Sequence, residues 1–153
     1  MPSHQIFNER LESQDRALKE LQAMGYQYIP RAEAEQKRDH LSHVLFPDVM
    51  REFLSSQSFV YRGKQTPFPD DAIGEAIREL DVPLERGLMF SSKAIYDRLI
   101  YGKSCDVHLY DGNTQSFDIS YIDWEHPENN IWQVTDEFSV ERTNGKYARP
   151  DIV

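Results

Sequence analysis

Tyr147-Ala148-Arg149-Pro150-Asp151-Ile152-Val153 is the stretch on which the fold turns. It begins as an apolar strand, sets an acid between Pro150 and two β-branched residues, and stops. A strand of this composition needs further residues to fill a sheet, so the chain reads as the front part of something longer. Ile131 to Val140 is a second strand-like run, and Asn144-Gly145 lies between the two with the pair that a two-residue type I′ turn demands. Together they predict a β-hairpin whose second arm carries Asp151.

Further upstream the period of two continues. Val107 and Leu109 alternate with Asp106, His108 and Tyr110, then Phe117, Ile119 and Tyr121 alternate with polar residues, and Asp111-Gly112 supplies turn chemistry between them. The first hundred residues read mainly as helix. Phe7, Leu11, Leu18 and Leu21 fall at helical spacing from about Gln5 to Met24, with Gly25 to end the helix and Tyr26 to Ile29 as a short strand. Leu41 to Leu54 predicts a helical segment kinked or restarted at Pro47. Asp70 or Asp71 is placed to cap a helix carrying Ile73, Ala76, Ile77 and Leu80, and Ser91 or Ser92 to cap one carrying Ile95, Leu99 and Ile100. Helices followed by an antiparallel or mixed sheet imply an α+β (mixed α/β) fold, read as a single domain over residues 1–153.

The 153 residues are 39% hydrophobic, enough for a core, and hold no run of the ~18 apolar residues that a membrane span requires. The start has no basic patch followed by an apolar run, and the one cysteine, Cys105, allows no internal disulfide. Both point to a cytoplasmic protein. His4, His40, His43, His108 and His126 are scattered without a zinc-site spacing. The sequence contains no G-x-x-x-x-G-K, G-x-G-x-x-G or G-x-S-x-G pattern, which argues against nucleotide binding or a hydrolase elbow within these residues.

Three ordered segments carry a family resemblance. Asp123-Trp124-Glu125-His126-Pro127-Glu128-Asn129-Asn130, then Asp136 to Glu141, then Arg149-Pro150-Asp151-Ile152-Val153 resemble the N-terminal nuclease domain of the R subunit of type I restriction-modification enzymes, a PD-(D/E)xK-like domain. Leu11, Leu18, Leu21, Gly25 and Tyr26 are similar to that family's opening helix, and Ser92 to Gly102, with Tyr96, Leu99 and Gly102, to a later helix end. The resemblance implies an incomplete restriction-endonuclease-like core. It also implies that Asp151 is a catalytic residue and Mg²⁺ ligand, that Arg149 reaches a scissile phosphate, and that an acid of the first helix, Glu12 or Glu9, joins the metal shell. Hard divalent ions take carboxylate oxygens and acidify a bound water, which is the chemistry of phosphodiester hydrolysis.

The family pattern continues past its Asp with an E-x-K strand, and the sequence here holds no such continuation. The resemblance therefore implies a parent that cuts DNA after ATP-driven translocation, in complex with modification and specificity subunits, and a 153-residue piece that is itself inactive. ATP belongs to the motor domains. Asp123, Trp124 and Asn130 read as architecture: Trp124 packing beside the sheet, Asp123 accepting backbone N–H groups of the following turn. An unpaired edge along Tyr147 to Val153 is expected to favour self-association or fraying.

Charge opposes the DNA reading, since 26 acids against 17 Lys+Arg give −9. The rival from another class is a non-catalytic acidic binding protein that mimics DNA, which needs its acids arrayed at phosphate-like spacing.

Overall fold

The computed structural model describes residues 3–82, 86–142 and 144–153, with side chains from residue 12 onward. Helices and small parallel and antiparallel sheets make the mixed α+β fold that the change of period implies. The chain packs as two compact units, Met1–Phe46 with Trp132–Val153, and Pro47–Ile131.

In the first unit, α1 (Ser3–Ala23) ends as Gly25 foresees. The Tyr26 N–H reaches back to the Leu21 carbonyl at 3.1 Å and the Gly25 N–H to that of Gln22 at 3.0 Å. This is a six-to-one closure with glycine at the left-handed position. Leu18 is buried on this helix, whereas the side chains of His4, Phe7, Glu9 and Leu11 lie outside the described residues. Then follow β1 (Gln27–Tyr28) and α2 (Arg31–Gln36), which starts directly after Pro30. β1 lies parallel to a later strand (Gln133–Val134), and Ile29, Ala34 and Phe138 form the core with Phe46 and Val140 against them.

The second unit contains α3 (Pro47–Ser55), β2 (Ser58–Tyr61), β3 (Lys64–Pro67), α4 (Asp70–Glu79), α5 (Leu88–Tyr101), β4 (Lys103–His108) and β5 (Thr114–Ile119). Its core takes Leu54, Ile73, Ala76, Cys105 and Ile119, with Phe59 stacked on Phe117 at 4.0 Å. Three expectations need correcting here. Pro47 opens α3, and turns rather than helix precede it. Asp70 and Asp71 lie inside the first turn of α4 with Pro69 at the N-cap and no side-chain cap bond, where they still favour the positive helix end. Gly87 takes the N-cap of α5, so Ser91 is a buried first-turn residue instead of a cap. The β2–β3 hairpin is absent from the sequence expectation because its turn, Arg62-Gly63, lacks the usual Asn or Asp.

The turns sort by length. Arg62 (φ 49) and Gly63 (φ 75) make the two-residue type I′ turn, with Tyr61 paired to Lys64. Asp111-Gly112 closes a longer loop, in which Leu109 N–H donates to Asn113 O (2.8 Å) and Gly112 N–H to Leu109 O (3.0 Å). Asn144-Gly145 repeats it: Arg142 N–H donates to Lys146 O (2.8 Å) and Gly145 N–H to Arg142 O (2.9 Å). In each, the Asx side chain accepts from the backbone N–H two residues on, Asp111 from Asn113 (3.2 Å) and Asn144 from Lys146 (3.1 Å). The type I′ expectation at Asn144-Gly145 is thus replaced by a loop closed between Arg142 and Lys146, with Gly145 left-handed at φ 72. The hairpin itself stands.

The last three strands, β6 (Gln133–Val134), β7 (Val140–Glu141) and β8 (Tyr147–Ala148), return to the first unit. Among the described residues no helix is long and apolar enough to cross a membrane.

Candidate active site on the C-terminal ladder

One register joins residues 135–142 to 146–153. Thr135 and Val153 exchange both backbone bonds (2.9 and 3.0 Å), Asp136 bridges Ile152, and the Glu137 N–H donates to the Asp151 carbonyl at 3.1 Å. Val140 pairs with Ala148 and Glu141 with Tyr147. The gap in the backbone bonding falls where Phe138 stands opposite Pro150, which has no N–H to give. Arg149 bridges the gap instead, its Nε donating to Ser139 Oγ at 3.1 Å.

Strict alternation does not run the length of the ladder, because Glu137 is left-handed and residues 149–151 are irregular with a bend at Asp151. Phe138 and Val140 belong to the core. Glu137, Ser139 and Arg149 meet through the Arg149 side chain on the other face. Asp151 is the backbone partner of Glu137 and stands two positions after Arg149 in the chain. Asp151 is exposed, its carbonyl accepts from Gln14 Nε2 at 2.9 Å, and among the described residues no hydrogen bond or ion pair reaches its carboxylate. A cleft of about 230 Å³ beside it is lined by Ser13, Gln14 and Ala17 of α1 with Ile152.

The side chains around this ladder are tied down tightly. Arg38, 6% exposed, donates through Nη1 to the carbonyls of Ser139 (2.9 Å), His43 (3.1 Å) and Leu41 (3.3 Å), and lies 4.0 Å over the Phe138 ring. Burial pushes its pKa down, yet an arginine remains charged. On the core face the Tyr28 hydroxyl donates to Asp136 Oδ1 at 2.7 Å, which links β1 to the ladder and raises the Tyr28 pKa. On the other face Arg149 Nη1 and Arg31 Nη1 both approach Glu137 Oε2, at 4.0 and 3.4 Å. Arg31 is held by its Nε on Glu35 at 2.9 Å, and that bond is the main cause of its raised pKa. Glu137 has φ 48, a left-handed backbone unusual for a non-glycine residue.

Of the site residues expected from sequence, Asp151 and Arg149 stand two residues apart in one irregular segment, Arg149 tied to Ser139 and Glu137 and Asp151 bonded through its carbonyl to Glu137. Glu12 is exposed on α1 and does not line the cleft at Asp151, where Ser13 and Gln14 stand. Among the described residues no three His, Cys, Asp or Glu side chains are grouped to hold a metal. The residues that sequence reasoning missed are Arg31, Arg38 and Glu137. Glu137 was within reach, because counting outward from the Asn144-Gly145 loop in the observed register leads to the Glu137–Asp151 pair.

The charge is divided unevenly. Residues 1–46 and 132–153 carry nine Lys+Arg against 11 acids, a balance of −2, and residues 47–131 carry eight against 15, a balance of −7. The unit that holds Asp151 is close to neutral.

In the second unit, Asp123 accepts a backbone N–H of the following turn as expected, whereas Trp124 stands exposed instead of packing beside the sheet. Asp123 Oδ1 accepts the His126 N–H (2.9 Å), its Oδ2 accepts from Asn129 (2.9 Å), and Asn130 bonds the Asp123 N–H and carbonyl. These bonds hold Asp123 below the usual carboxylate range, the Asn129 bond first. Trp124 is 54% exposed with its indole N–H on the Leu99 carbonyl at 3.0 Å. They border a cleft of about 950 Å³ that also includes Gln57, Ser120 and His126.

The profile of the family described as type I restriction enzyme R protein N terminus matches residues 6–153. No curated protein and no solved structure matches the chain.

Proposed function

The chain belongs to the type I restriction enzyme R protein N-terminal family, and on that premise we propose that it supplies part of a DNA-cutting site built around Asp151. The observation that carries the reading is the family match over residues 6–153, taken with an exposed Asp151 carboxylate that has no protein partner among the described residues. Such a carboxylate suits Mg²⁺, which takes one or two acid oxygens and keeps several waters. When bound, the ion would acidify a water for attack on a phosphodiester.

The chain's own residues divide the remaining work. Asp151 would give the metal its carboxylate while its carbonyl, fixed by Gln14 and Glu137, holds the backbone still. Arg149, directed by Ser139, would meet a phosphate oxygen through its planar fork. Glu12 would join only through an ion or water beyond the cleft lining. A further carboxylate and a lysine, as in an E-x-K strand, are required to complete the site. In this reading the parent is a cytoplasmic R subunit, with DNA as substrate, ATP hydrolysed in motor domains, and modification and specificity subunits as partners.

The acidic DNA-mimic alternative is favoured only by charge, and the charge is concentrated in residues 47–131, which do not include the ladder. A plasmid-nicking assay tests the proposal. The assembled enzyme is expected to cut in Mg²⁺ and ATP, and the 153 residues alone to show neither nicking nor ATP hydrolysis. Mg²⁺-dependent nicking by the pure chain, unaffected by Asp151→Ala, would contradict the site.

A further inference from the structure

We propose that Arg31 and Arg149 form a seat for one phosphodiester of a nucleic-acid backbone, and that the Glu137 carboxylate occupies this seat in the free protein. The inference rests on the reading of Asp151 as part of a DNA-cutting site. It adds Arg31 as a positioning residue and Glu137 as an occupant that substrate displaces.

The geometry supports a seat rather than a structural ion pair. Two guanidiniums from distant parts of the sequence aim at the same oxygen, Glu137 Oε2, and both contacts are loose at 3.4 and 4.0 Å. Arg31 and Arg149 each have a tighter anchor elsewhere, on Glu35 (2.9 Å) and Ser139 (3.1 Å). Their Nε atoms are thus fixed by the protein, and a terminal nitrogen of each is left to a weak partner. A phosphodiester offers two unbridged oxygens, one for each fork, and is a better acceptor for two arginines than one carboxylate oxygen.

Glu137 is also a costly choice at its position. Its backbone is left-handed, which Asn or Gly would adopt more easily, and it is paired through that backbone with a second acid, Asp151. Ion pairs of this exposure, with side chains 40–51% accessible, add little stability to offset either cost. The seat adjoins the chemistry, because Arg149 and Asp151 are two residues apart in the chain and the Glu137 N–H donates to the Asp151 carbonyl. Local charge permits the approach of DNA, since this unit carries only −2.

The test is binding of a short fluorescein-labelled DNA duplex by the 153-residue chain, followed by anisotropy without divalent metal over a range of salt. Glu137→Gln is expected to tighten binding several-fold and to steepen the slope of log K against log salt. Glu33→Gln, the same charge change on α2 beside Lys37, serves as the control. Adding Arg31→Gln to Glu137→Gln should flatten the slope by about 0.9, the value for one phosphate contact, and Arg31→Lys should not restore the tight binding. If Glu137→Gln disturbs the fold, Glu137→Asn keeps the left-handed backbone and provides the same comparison.

Equal binding by Glu137→Gln and Glu33→Gln, indifference to Arg31, or no binding by any variant at the lowest salt would overturn the seat. None of these outcomes bears on Asp151, whose role is judged separately by cleavage in the assembled enzyme.

Discussion

Glu137 and Asp151 are direct cross-strand partners: the N–H of Glu137 donates to the carbonyl of Asp151 at 3.1 Å, although the backbone bends at both residues. The pair is held by neighbours on every side. Gln14 of α1 takes the Asp151 carbonyl, Arg31 and Arg149 flank Glu137, and Arg38 fixes Ser139 two residues further along. A site residue in irregular backbone thus gains its position from hydrogen bonds rather than from a long strand.

Arg38 is the strongest of these supports. Arg38→Ala removes one donor from three carbonyls and the cation over Phe138. Denaturant unfolding should report a loss of about 2–4 kcal/mol, the range for a buried charged group whose partners are left unpaired. Arg38→Lys should recover only part of it, since an ammonium can serve the carbonyls that Nη1 serves but has no guanidinium plane to lie over the Phe138 ring. Full stability in Arg38→Lys would show that charge alone suffices.

Gly102, at the end of α5, should tolerate a side chain less well than a glycine in an open turn. Its φ is 73 and its ψ −159, a backbone region that is essentially confined to glycine, and a Cβ there would collide with the Ile119 carbonyl of β5. Gly112 has φ 82 and open space around it. Gly112→Ala should cost the ~1–2 kcal/mol of a positive-φ alanine, and Gly102→Ala should cost more, from its backbone region and from ~1–3 kcal/mol of overpacking together. Equal thermal shifts in the two variants would mean that the helix end yields freely.

Acid should weaken the second unit through Glu79. Its bond to Arg98 at 2.6 Å, aided by Lys103, lowers its pKa below the ordinary 4.5. A depressed folded pKa means stability that is fully present above the unfolded value and is lost as pH falls through the folded one. The loss therefore begins below about pH 4.5 and continues to the lower folded value. With Glu79 36% accessible and Arg98 27%, the effect is screened and modest. Unfolding midpoints measured across this window should fall more steeply for the wild type than for Glu79→Gln, and parallel curves would remove Glu79 as a cause.

Much of this fold was legible in the sequence, and the reasons differ by element. Gly25 ends α1 because a left-handed glycine after an apolar turn has few other uses. The alternation from Val107 to Tyr121 becomes β4 and β5 because their inner residues are buried on one face. The caps were misplaced because Pro69 and Gly87 precede the helices more closely than the Ser and Asp residues that attract attention. The β2–β3 hairpin was missed because Arg62 adopts a conformation that its residue type seldom signals. Of the site, Asp151 and Arg149 were readable through the ordered segments around them. Arg31, Arg38 and Gln14 were not, since their roles arise from contacts more than 100 residues away in the chain.

The central claim, that Asp151 holds the metal for DNA cleavage, is tested most directly by Asp151→Ala in the R subunit of the assembled enzyme, with cleavage and ATP hydrolysis measured on the same preparation. The change removes a carboxylate while leaving the carbonyl bonds of Gln14 and Glu137 available. Loss of cleavage by at least about a hundredfold with ATP hydrolysis retained is the predicted result, in line with removal of an essential metal ligand. Cleavage at the wild-type rate, or loss of both activities together, would contradict it.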